Sequence, residues 1–544
     1  MDDQVVLSFE NPATGEEFGA VRSHTPHEVR SEVDQMRAAY KVWSEKPIEE
    51  RIRILTQFQG EMLDSLDEIT AVMNRDTGKS RQDALAEVFI TADVLRAYLK
   101  RAPHWLRKRR VSSGIFLFKR AFVEPVPYGV VAVISPWNYP FTLAVMPVLS
   151  ALLAGNTVVL KPSEVAAATG QMIERLFNRV PDLAPFVRVV YGDGSVGAAL
   201  VNSRPDFIYL TGSPETGKKV LKAAADYIIP VAAELGGKDA LIVLEDADLR
   251  QAARWALWGA CYNAGQTCMA VERVYVVQEV YDEFLRYALE EAKSLRMGYS
   301  EAIDSPYHIG PISDPRQMEI IERHLSDAIK LGARVLSGGK REGNYFEPTV
   351  LVDIDQSMAI MQEETFGPVM PVIKVRDVEE AIRLANDSRY GLSASIWTSD
   401  IERAKRVASR VEAGSVMIND AIAQFALPML PFGGMKDSGF GRTHGKEGLL
   451  VFTRSKSYVF GTPPKSWDVA TIGRNPGKYR LLAAIMHLLF GISPRQRLQP
   501  VVSSFEQDPA TTRLVGIGLG TVLGILAAVV GLFVGNRRKK MGQL

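Results

Sequence analysis

Residues 126–164 read VPYGVVAVISPWNYPFTLAVMPVLSALLAGNTVVLKPSE, and this stretch decides the class of fold. It holds two short apolar runs, one from Val130 to Ile134 and one within NTVVLKPSE at 156–164. The segment between them is long enough for a helix. A strand, a helix and a second strand in this order predict two parallel strands joined by a crossover.

The same alternation continues along the chain. Further predicted strands lie in VRVVYGDGS (187–195), DFIYLTGSPE (206–215) and PVAAELGG (230–237), with helices between them. This repetition predicts an α/β fold with a parallel, Rossmann-like sheet. A second α/β pattern runs from about 236 to 440, from LIVLEDADL (241–249) to GSVMIND (414–420). It predicts a second α/β domain.

The first 110 residues or so predict a pair of strands followed by helices. Ile52, Leu55, Phe58 and Met62 recur at helical spacing, which predicts one buried helix face. Gly78 is the expected end of a helix, because glycine readily adopts the left-handed conformation found there.

Composition excludes several classes of protein. The 64 basic and 63 acidic residues of the 544 nearly balance, so no basic field for nucleic acid is expected. Two cysteines, Cys261 and Cys268, exclude a disulfide framework and fit a reducing compartment. The N-terminus has no basic and apolar leader of the secretory kind, so the catalytic part is expected in the cytoplasm.

Several residues could carry chemistry, although each has an ordinary alternative. Cys268 in YNAGQTCMAVERV could be a nucleophile, but a lone cysteine is more often a small buried side chain. Glu234, at the end of a predicted strand, could be a general base or a salt-bridged acid. Asn138 could donate to an oxyanion or form a turn. TGSPETG (211–217) could approach a diphosphate, but a single glycine-rich turn is weak evidence.

Seven motifs in order give a more specific indication. They are PWNYP (136–140), KPSE (161–164), TGSPETG (211–217), ELGGK (234–238), GQTC (265–268), EETFGPV (363–369) and PFGGMKDSGFGR (431–442). Together they resemble the aldehyde dehydrogenase superfamily over roughly residues 8–460. The resemblance implies an enzyme that oxidises an aldehyde with NAD or NADP.

The resemblance also implies three catalytic roles. Cys268 attacks the aldehyde carbonyl, and the Asn138 amide with the Cys268 backbone N–H holds the resulting oxyanion. Glu234 activates the water that hydrolyses the thioester. Because the relatives that hydrolyse the thioester have a glutamate at this motif, the expected product is a carboxylic acid.

The cofactor-binding residues are likewise implied by the resemblance, and no metal site is. Lys161 and Glu164 match the adenosine-ribose contacts; Glu164 would repel a 2′-phosphate and favour NAD, while Lys161 leaves NADP open. The other expected cofactor residues are Trp137, Gly194, Gly212, Ser213, Glu364 and Phe366. Glu364 would bind the nicotinamide ribose, with Phe366 beside the ring.

The expected domain boundaries follow from the same resemblance. Residues 1–111 and 128–235 would bind NAD(P), and 236–440 would form the catalytic domain. Residues 112–127 and 441–463 would form an oligomerisation arm with a C-terminal strand, which implies a homodimer or homotetramer.

The C-terminal tail differs from the rest of the chain. Within the expected linker 464–513, residues 481–492 are apolar but too short to span a bilayer, which favours a helix lying at the interface. Residues 514–535 carry no charge over 22 positions, and the basic run NRRKK follows, so a transmembrane helix is predicted there. A buried core helix is the alternative.

The tail bears on the substrate. A membrane anchor favours an aldehyde that partitions into lipid, of medium or long chain. The alternatives are a semialdehyde such as succinate semialdehyde, or an inactive membrane-bound scaffold of the same fold.

Overall fold

The computed structural model describes residues 5–114, 119–461, 482–483 and 486–498. It begins with an antiparallel strand pair and four helices: β1 (Val6–Glu10), β2 (Glu17–Arg22), α1 (Pro26–Trp43), α2 (Ile48–Asp64), α3 (Leu66–Thr77) and α4 (Arg81–Trp105). Thr25 starts α1 with a capping box that includes Glu28. Leu55, Phe58 and Met62 are buried on α2, as their spacing predicted. Gly78 ends α3 at φ 75°, which confirms the predicted helix end.

A short strand and a longer one lead into the first α/β series. They are β3 (Arg109–Val111) and β4 (Lys119–Pro127). The series itself consists of β5 (Val130–Ile134), α5 (Thr142–Leu153), β6 (Thr157–Lys161), α6 (Ala167–Asn178), β7 (Val187–Val189), α7 (Gly194–Asn202), β8 (Phe207–Thr211), α8 (Pro214–Ala225) and β9 (Val231–Glu234). Every strand predicted between 126 and 237 is present.

The second series is longer and less regular. It comprises β10 (Asp239–Val243), α9 (Leu249–Cys261), β11 (Val271–Val277), α10 (Tyr281–Ser294), α11 (Pro315–Lys330), β12 (Arg334–Ser337), β13 (Arg341–Glu342), β14 (Tyr345–Phe346), β15 (Thr349–Val352), α12 (Ala359–Gln362), β16 (Val369–Val375), α13 (Val378–Asn386), β17 (Ser393–Trp397), α14 (Ile401–Ala408) and β18 (Ser415–Ile418). The chain continues with β19 (Gly439–Phe440), α15 (Gly445–Leu450) and β20 (Thr453–Gly461).

Two large sheets organise these elements. The first has the order β19-β9-β8-β5-β6-β7, and all its pairs are parallel except β19 with β9. The second has the order β12-β15-β16-β11-β10-β17-β18, and only β12 runs antiparallel to its neighbour. The α/β prediction with a Rossmann-like parallel sheet is therefore confirmed.

Both faces of the first sheet are buried, which explains its continuous apolar strands. On β5, Val131 and Val133 pack into one core with α5, while Val130, Ala132 and Ile134 pack into another with α1 and α7. Successive side chains of a strand point to opposite faces, so a strand covered on both sides must be apolar throughout. The parallel strands end at one edge, where the loops after β5, β8 and β9 meet.

Residues 5–110 and 122–458 form one unit, which carries these two sheets. The expected oligomerisation arm includes residues 112–127, and the structure describes all of these except 115–118. Among the described residues, no helix is long and apolar enough to cross a membrane. The predicted transmembrane helix at 514–535 lies outside the described residues, and the predicted interfacial segment 481–492 lies only partly within them.

Candidate active site

A cavity opens at the carboxyl ends of the parallel strands of the first sheet. Eight of the predicted site residues line it: Trp137, Asn138, Gly212, Ser213, Glu234, Cys268, Glu364 and Phe366. They come from loops separated by more than 200 positions in the chain. The cavity therefore brings together the three residues with predicted catalytic roles. Asn138 and Glu234 lie there because their motifs follow strand ends, as predicted, whereas Cys268 reaches it from the loop before β11.

The loop that carries Cys268 has an unusual backbone. Three consecutive residues before it, Asn263, Ala264 and Gly265, have φ of 53°, 57° and 75°. A side chain at Gly265 would place its Cβ 2.1 Å from the backbone of Gly367, so glycine is required there. Such left-handed turns are costly and persist where the surrounding structure holds them. Here they change the direction of the chain after α9, so that Cys268 lines the cavity.

The two cysteines differ in the way the sequence suggested. Cys261 is buried in the core of the second series, and burial raises the pKa of its thiol to about 12. Cys268 is only partly buried and lines the cavity. Burial also raises the pKa of the Cys268 thiol, and the nearby carboxyl groups of Asp239, Glu364 and Glu234 add to the effect. The resting thiol is therefore neutral and must lose its proton before attack.

Asn138 is held from both its backbone and its side chain. Its Nδ2 donates to the Gln266 carbonyl at 3.0 Å, which leaves the second amide N–H for another acceptor. Its own carbonyl accepts from Lys79 Nζ at 2.8 Å and from Asn263 Nδ2 at 3.1 Å. These bonds tie the loop after β5 to the loop of Cys268. The Asn138 amide is thus held in one position, as a hydrogen-bond donor to an oxyanion must be.

Glu234 ends β9 in an apolar setting. Its side chain is buried, and neither carboxylate oxygen has a hydrogen-bond partner among the described residues. Burial raises the pKa of Glu234 well above its usual range, and the charge of Arg442 offsets this only in part. A Cβ at Gly433 would lie 2.7 Å from Oε1, so glycine keeps this space open. An unpartnered buried carboxyl group beside a thiol is typical of a catalytic base.

The predicted nicotinamide contacts, Glu364 and Phe366, come from the second α/β series, in the loop between α12 and β16. Glu364 Oε1 accepts from the Gly237 N–H at 2.9 Å, and a Cβ at Gly236 would lie 2.2 Å from Glu364 Oε2. The Phe366 ring stands edge-on to Trp137, with centroids 5.6 Å apart. Glu272 accepts from the N–H groups of Thr365 and Phe366, both at 2.8 Å, and so fixes this loop.

A helix N-terminus also faces the cavity. Ser213 caps α8 by accepting from the Thr216 N–H, and Gly212 donates to the Glu234 carbonyl at 3.1 Å. Free N–H groups at the start of a 12-residue helix suit a diphosphate. The residues present therefore fit a dinucleotide cofactor.

Three predicted cofactor residues do not line this cavity. Lys161 Nζ contacts Glu164 Oε2 at 3.1 Å, and Gly194 is the first residue of α7, capped by Asp193. Arg316 Nη2 lies 3.8 Å from Glu164 Oε1, and sequence reasoning missed it. Arg316 is itself paired with Asp314 at 2.8 Å, so a second cation and a second acid both lie near Glu164, and this carboxylate alone does not decide whether a 2′-phosphate is repelled.

Comparison with known proteins identifies the family. Residues 2–458 match the aldehyde dehydrogenase family. The chain belongs to this family. It is an aldehyde dehydrogenase, and it uses NAD or NADP.

Two curated relatives of this aldehyde dehydrogenase have different named substrates. The chain is 45% identical to a 4,4′-diapolycopene aldehyde oxidase of Methylomonas sp, over 81% of this chain and 83% of that protein. It is 35% identical to a Mycolicibacterium smegmatis protein provisionally named a succinate-semialdehyde dehydrogenase [NADP(+)], over 84% of this chain and 89% of that protein.

Two solved structures are similar to this aldehyde dehydrogenase. One is a point mutant of betaine aldehyde dehydrogenase from Staphylococcus aureus in complex with NAD+, with 32% identity, a TM-score of 0.81 and coverage of 85% and 95% of the two chains. The other is the NADP-dependent glyceraldehyde-3-phosphate dehydrogenase of Bacillus halodurans with NADP, with 36% identity, a TM-score of 0.80 and coverage of 84% and 96%.

Sequence reasoning missed much of the wall of this aldehyde dehydrogenase's cavity. Apolar and aromatic side chains from distant segments complete it: Leu143, Met146, Pro147, Tyr209, Phe425 and Phe432. Only Phe432 lies in one of the seven motifs, in PFGGM. The remaining residues have no local signal beyond being apolar, as core residues also are.

Proposed function

We propose that this enzyme oxidises an apolar aldehyde of medium or long chain to its carboxylic acid. The composition of the cavity wall carries the proposal. No lysine, arginine or histidine is among the described residues that line it, whereas Leu143, Met146, Phe425 and Phe432 are. An apolar chain gains about 0.8 kcal/mol for each CH₂ buried against such a wall.

The similarity to the 4,4′-diapolycopene aldehyde oxidase supports this substrate class. A semialdehyde of a dicarboxylic acid is the second candidate, since one relative carries such a name. Its distal carboxylate would need a cationic or multiply hydrogen-bonding partner in the cavity. Glu234 and Glu364 are the carboxyl groups on the wall, and neither supplies such a cation. The apolar aldehyde is therefore favoured.

The proposed chemistry begins with covalent addition. The Cys268 thiol loses its proton to solvent, its sulfur adds to the carbonyl carbon, and the carbonyl oxygen becomes an alkoxide. The free N–H of the Asn138 amide and the Cys268 backbone N–H stabilise that charge. When bound, NAD or NADP supplies the acceptor for the hydride that leaves the same carbon. The carbon–sulfur bond is then part of a thioester.

Glu234 completes the proposed cycle. Its carboxylate takes a proton from water, the water oxygen adds to the thioester carbon, and the carbon–sulfur bond breaks. The proton on Glu234 passes to the departing Cys268 sulfur, which restores the thiol, and the acid leaves. The unpartnered carboxyl group of Glu234 supports this role, because no hydrogen bond within the described chain occupies it. Asn138, Glu234 and Cys268 on one wall favour an active enzyme over an inactive scaffold.

We propose that NAD is preferred and that NADP is tolerated. Glu164 would accept hydrogen bonds from the ribose hydroxyls, as its position in KPSE implies. Lys161 and Arg316 both lie next to this carboxylate and would attract a 2′-phosphate. Asp314 also contacts Arg316 at 2.8 Å, so two acids and two cations lie here, and this even balance supports use of both cofactors. We further propose that Gly194, Gly212 and Ser213 contact the cofactor.

The domain boundaries also remain a proposal. In it, 1–111 and 128–235 bind the cofactor, 236–440 carry the nucleophile, and 112–127 with 441–463 form the oligomerisation arm of a homodimer or homotetramer. The first two are supported by the two large sheets, because β5–β9 lie in one and β10–β12 with β15–β18 lie in the other.

We propose that the tail anchors the enzyme to a membrane through 514–535, with the catalytic part in the cytoplasm. The support is the sequence alone, 22 residues without charge followed by NRRKK. An anchored enzyme would meet aldehydes dissolved in the bilayer, which agrees with the apolar cavity.

The test measures reduced-cofactor formation by the full-length enzyme with a chain-length series of aldehydes, 4,4′-diapolycopene aldehyde and succinate semialdehyde. We expect kcat/KM to rise with chain length and to be at least tenfold lower for the semialdehyde, since each buried CH₂ contributes about 0.8 kcal/mol. A preference for the semialdehyde would overturn the proposal.

Cys268→Ala is the matched variant for the assigned nucleophile. We expect it to abolish aldehyde-dependent reduction of NAD(P) while NAD(P) binding, followed by fluorescence, is retained. Cys261→Ala is the control, because that thiol lies in the core and off the cavity. Appreciable turnover by Cys268→Ala would show that another group is the nucleophile.

A further inference from the structure

A buried ion pair lies directly behind the loop of Asn138. Lys79 follows Gly78, the left-handed end of α3, and Glu87 lies on α4. The two side chains form a salt bridge, and each is only 2% exposed. A Cβ at Gly78 would lie 2.2 Å from Pro311, so the chain can make this turn only with glycine. The turn directs Lys79 into the protein, where Asn74 Nδ2 holds its carbonyl at 2.7 Å.

This pair holds both ends of the segment between β5 and α5. Lys79 Nζ donates to the Asn138 carbonyl at 2.8 Å and lies 4.6 Å from the centre of the Tyr139 ring. Glu87 Oε2 accepts from the N–H groups of Phe141 and Thr142 at 3.1 and 3.2 Å. The hydrogen bonds of this ammonium and carboxylate thus join the two groups to one another and to this segment.

The same segment is joined to the loop of the nucleophile. Asn138 Nδ2 donates to the Gln266 carbonyl at 3.0 Å, and the Tyr139 hydroxyl lies 2.7 Å from Thr267 Oγ1. The distance from the Asn138 amide to the carbonyl carbon attacked by Cys268 thus depends on where the pair holds residues 138–142. Buried ion pairs contribute little net stability compared with apolar side chains of similar size, so stability alone is a weak reason for one here.

We propose that Lys79 and Glu87 are positioning residues for the oxyanion donor Asn138. The inference rests on the role of Asn138 in the proposed function. Lys79 fixes the backbone of Asn138, and Glu87 fixes the start of α5. Together they hold the amide in register with Cys268, and neither touches the substrate. An error of about 1 Å in such a contact can cost about 10² in rate.

A double-mutant cycle tests the proposal. Lys79→Met, Asn138→Ala and the combination are made in the full-length enzyme, and the pre-steady-state rate of NAD(P)H formation is measured with saturating cofactor and aldehyde. We expect Asn138→Ala to lower this rate by about 10²–10³ and Lys79→Met by about 10–10². In the Asn138→Ala background we expect Lys79→Met to cost less than about threefold, because the group it positions is gone.

The outcomes separate the inference from the function on which it rests. Equal losses on Lys79→Met in both backgrounds would show that Lys79 acts independently of Asn138 and would overturn the positioning role alone. An unchanged rate in Asn138→Ala would overturn the oxyanion role itself, and the inference with it. An unchanged dissociation constant for NAD(P) is expected for Lys79→Met, since the pair does not line the cavity.

Two further variants keep the proposal testable if Lys79→Met fails to fold. Lys79→Met with Glu87→Gln removes both charges of the pair, and its cycle with Asn138→Ala must show the same coupling. Lys79→Arg retains the cation and is expected to restore part of the rate lost in Lys79→Met; no rescue would count against positioning. Asp76→Asn, a buried carboxyl on α3 that contacts Thr169, is the control and should leave the pre-steady-state rate unchanged.

Discussion

At the scale of single residues, the ionisation states of Cys268 and Glu234 set the expected pH dependence. Burial raises the pKa of both groups above their usual values. A nucleophile and a base act in their deprotonated forms, so both steps that need them should accelerate as the pH rises. We therefore expect steady-state activity to increase from neutral to alkaline pH.

Glu234→Gln separates the two contributions. The variant should slow thioester hydrolysis by at least about 10², the range of one acid–base residue, and so produce a burst of NAD(P)H followed by a slow steady state. The pH dependence of the steady-state rate should flatten. The measurement is stopped-flow absorbance at 340 nm between pH 6 and pH 10. An unchanged steady-state rate without a burst would exclude Glu234 as the base for hydrolysis.

At the scale of elements, the contact between α3 and α6 depends on one buried acid. Asp76 Oδ2 accepts from the Thr169 N–H at 2.7 Å and from Thr169 Oγ1 at 2.6 Å. Burial nevertheless raises the pKa of Asp76 to about 6, above the value of about 4 for an unfolded aspartate. A raised carboxyl pKa stabilises the fold fully below pH 4, and this contribution is lost as the pH rises through 6.

Asp76→Asn should remove that pH dependence. Relative to the parent, the variant should become more stable as the pH rises from 4.5 to 7.5, by up to about 3 kcal/mol, since one pKa unit corresponds to about 1.4 kcal/mol. The difference between the two thermal unfolding midpoints, followed across this range, measures the effect. A constant difference would mean that Asp76 ionises in the fold as it does in the unfolded chain.

Elements also show why local patterns did not reveal the whole site. The loop of residues 263–265 is left-handed at three positions, yet Ala264 gives no indication of this from its type, unlike Asn263 and Gly265. Strand β19 pairs with β9 at Glu234, although more than 200 residues separate them. Such contacts depend on which surfaces pack together, and hydrophobic periodicity records only whether a surface is buried.

At the scale of the whole molecule, the tail and the catalytic part are expected to be separable. Deleting residues 510–544 should release the enzyme from the membrane fraction with its activity on a short, water-soluble aldehyde unchanged. Activity on a long aldehyde supplied in lipid vesicles should fall, because the enzyme no longer meets the bilayer. Sedimentation of membranes followed by both assays measures this.

A control variant replaces the apolar residues 514–535 by a polar linker of equal length, so that the apolar segment is removed without shortening the chain. It should behave as the deletion does. If the deleted enzyme still sediments with membranes, another part of the chain, such as 481–492, holds it there.

The amino-acid sequence by itself determined the α/β class, the strands from 126 to 237, the helix end at Gly78 and the seven motifs, because each depends on local periodicity or residue type. Only the tertiary structure decided that Phe425 and Phe432 complete the wall around Cys268, that Glu234 lacks a partner, and that Arg316 lies beside Glu164. The burial and the electrostatic environment of a site depend on all the residues packed around it. Many of these residues are far apart in the chain, so no local sequence pattern predicts them.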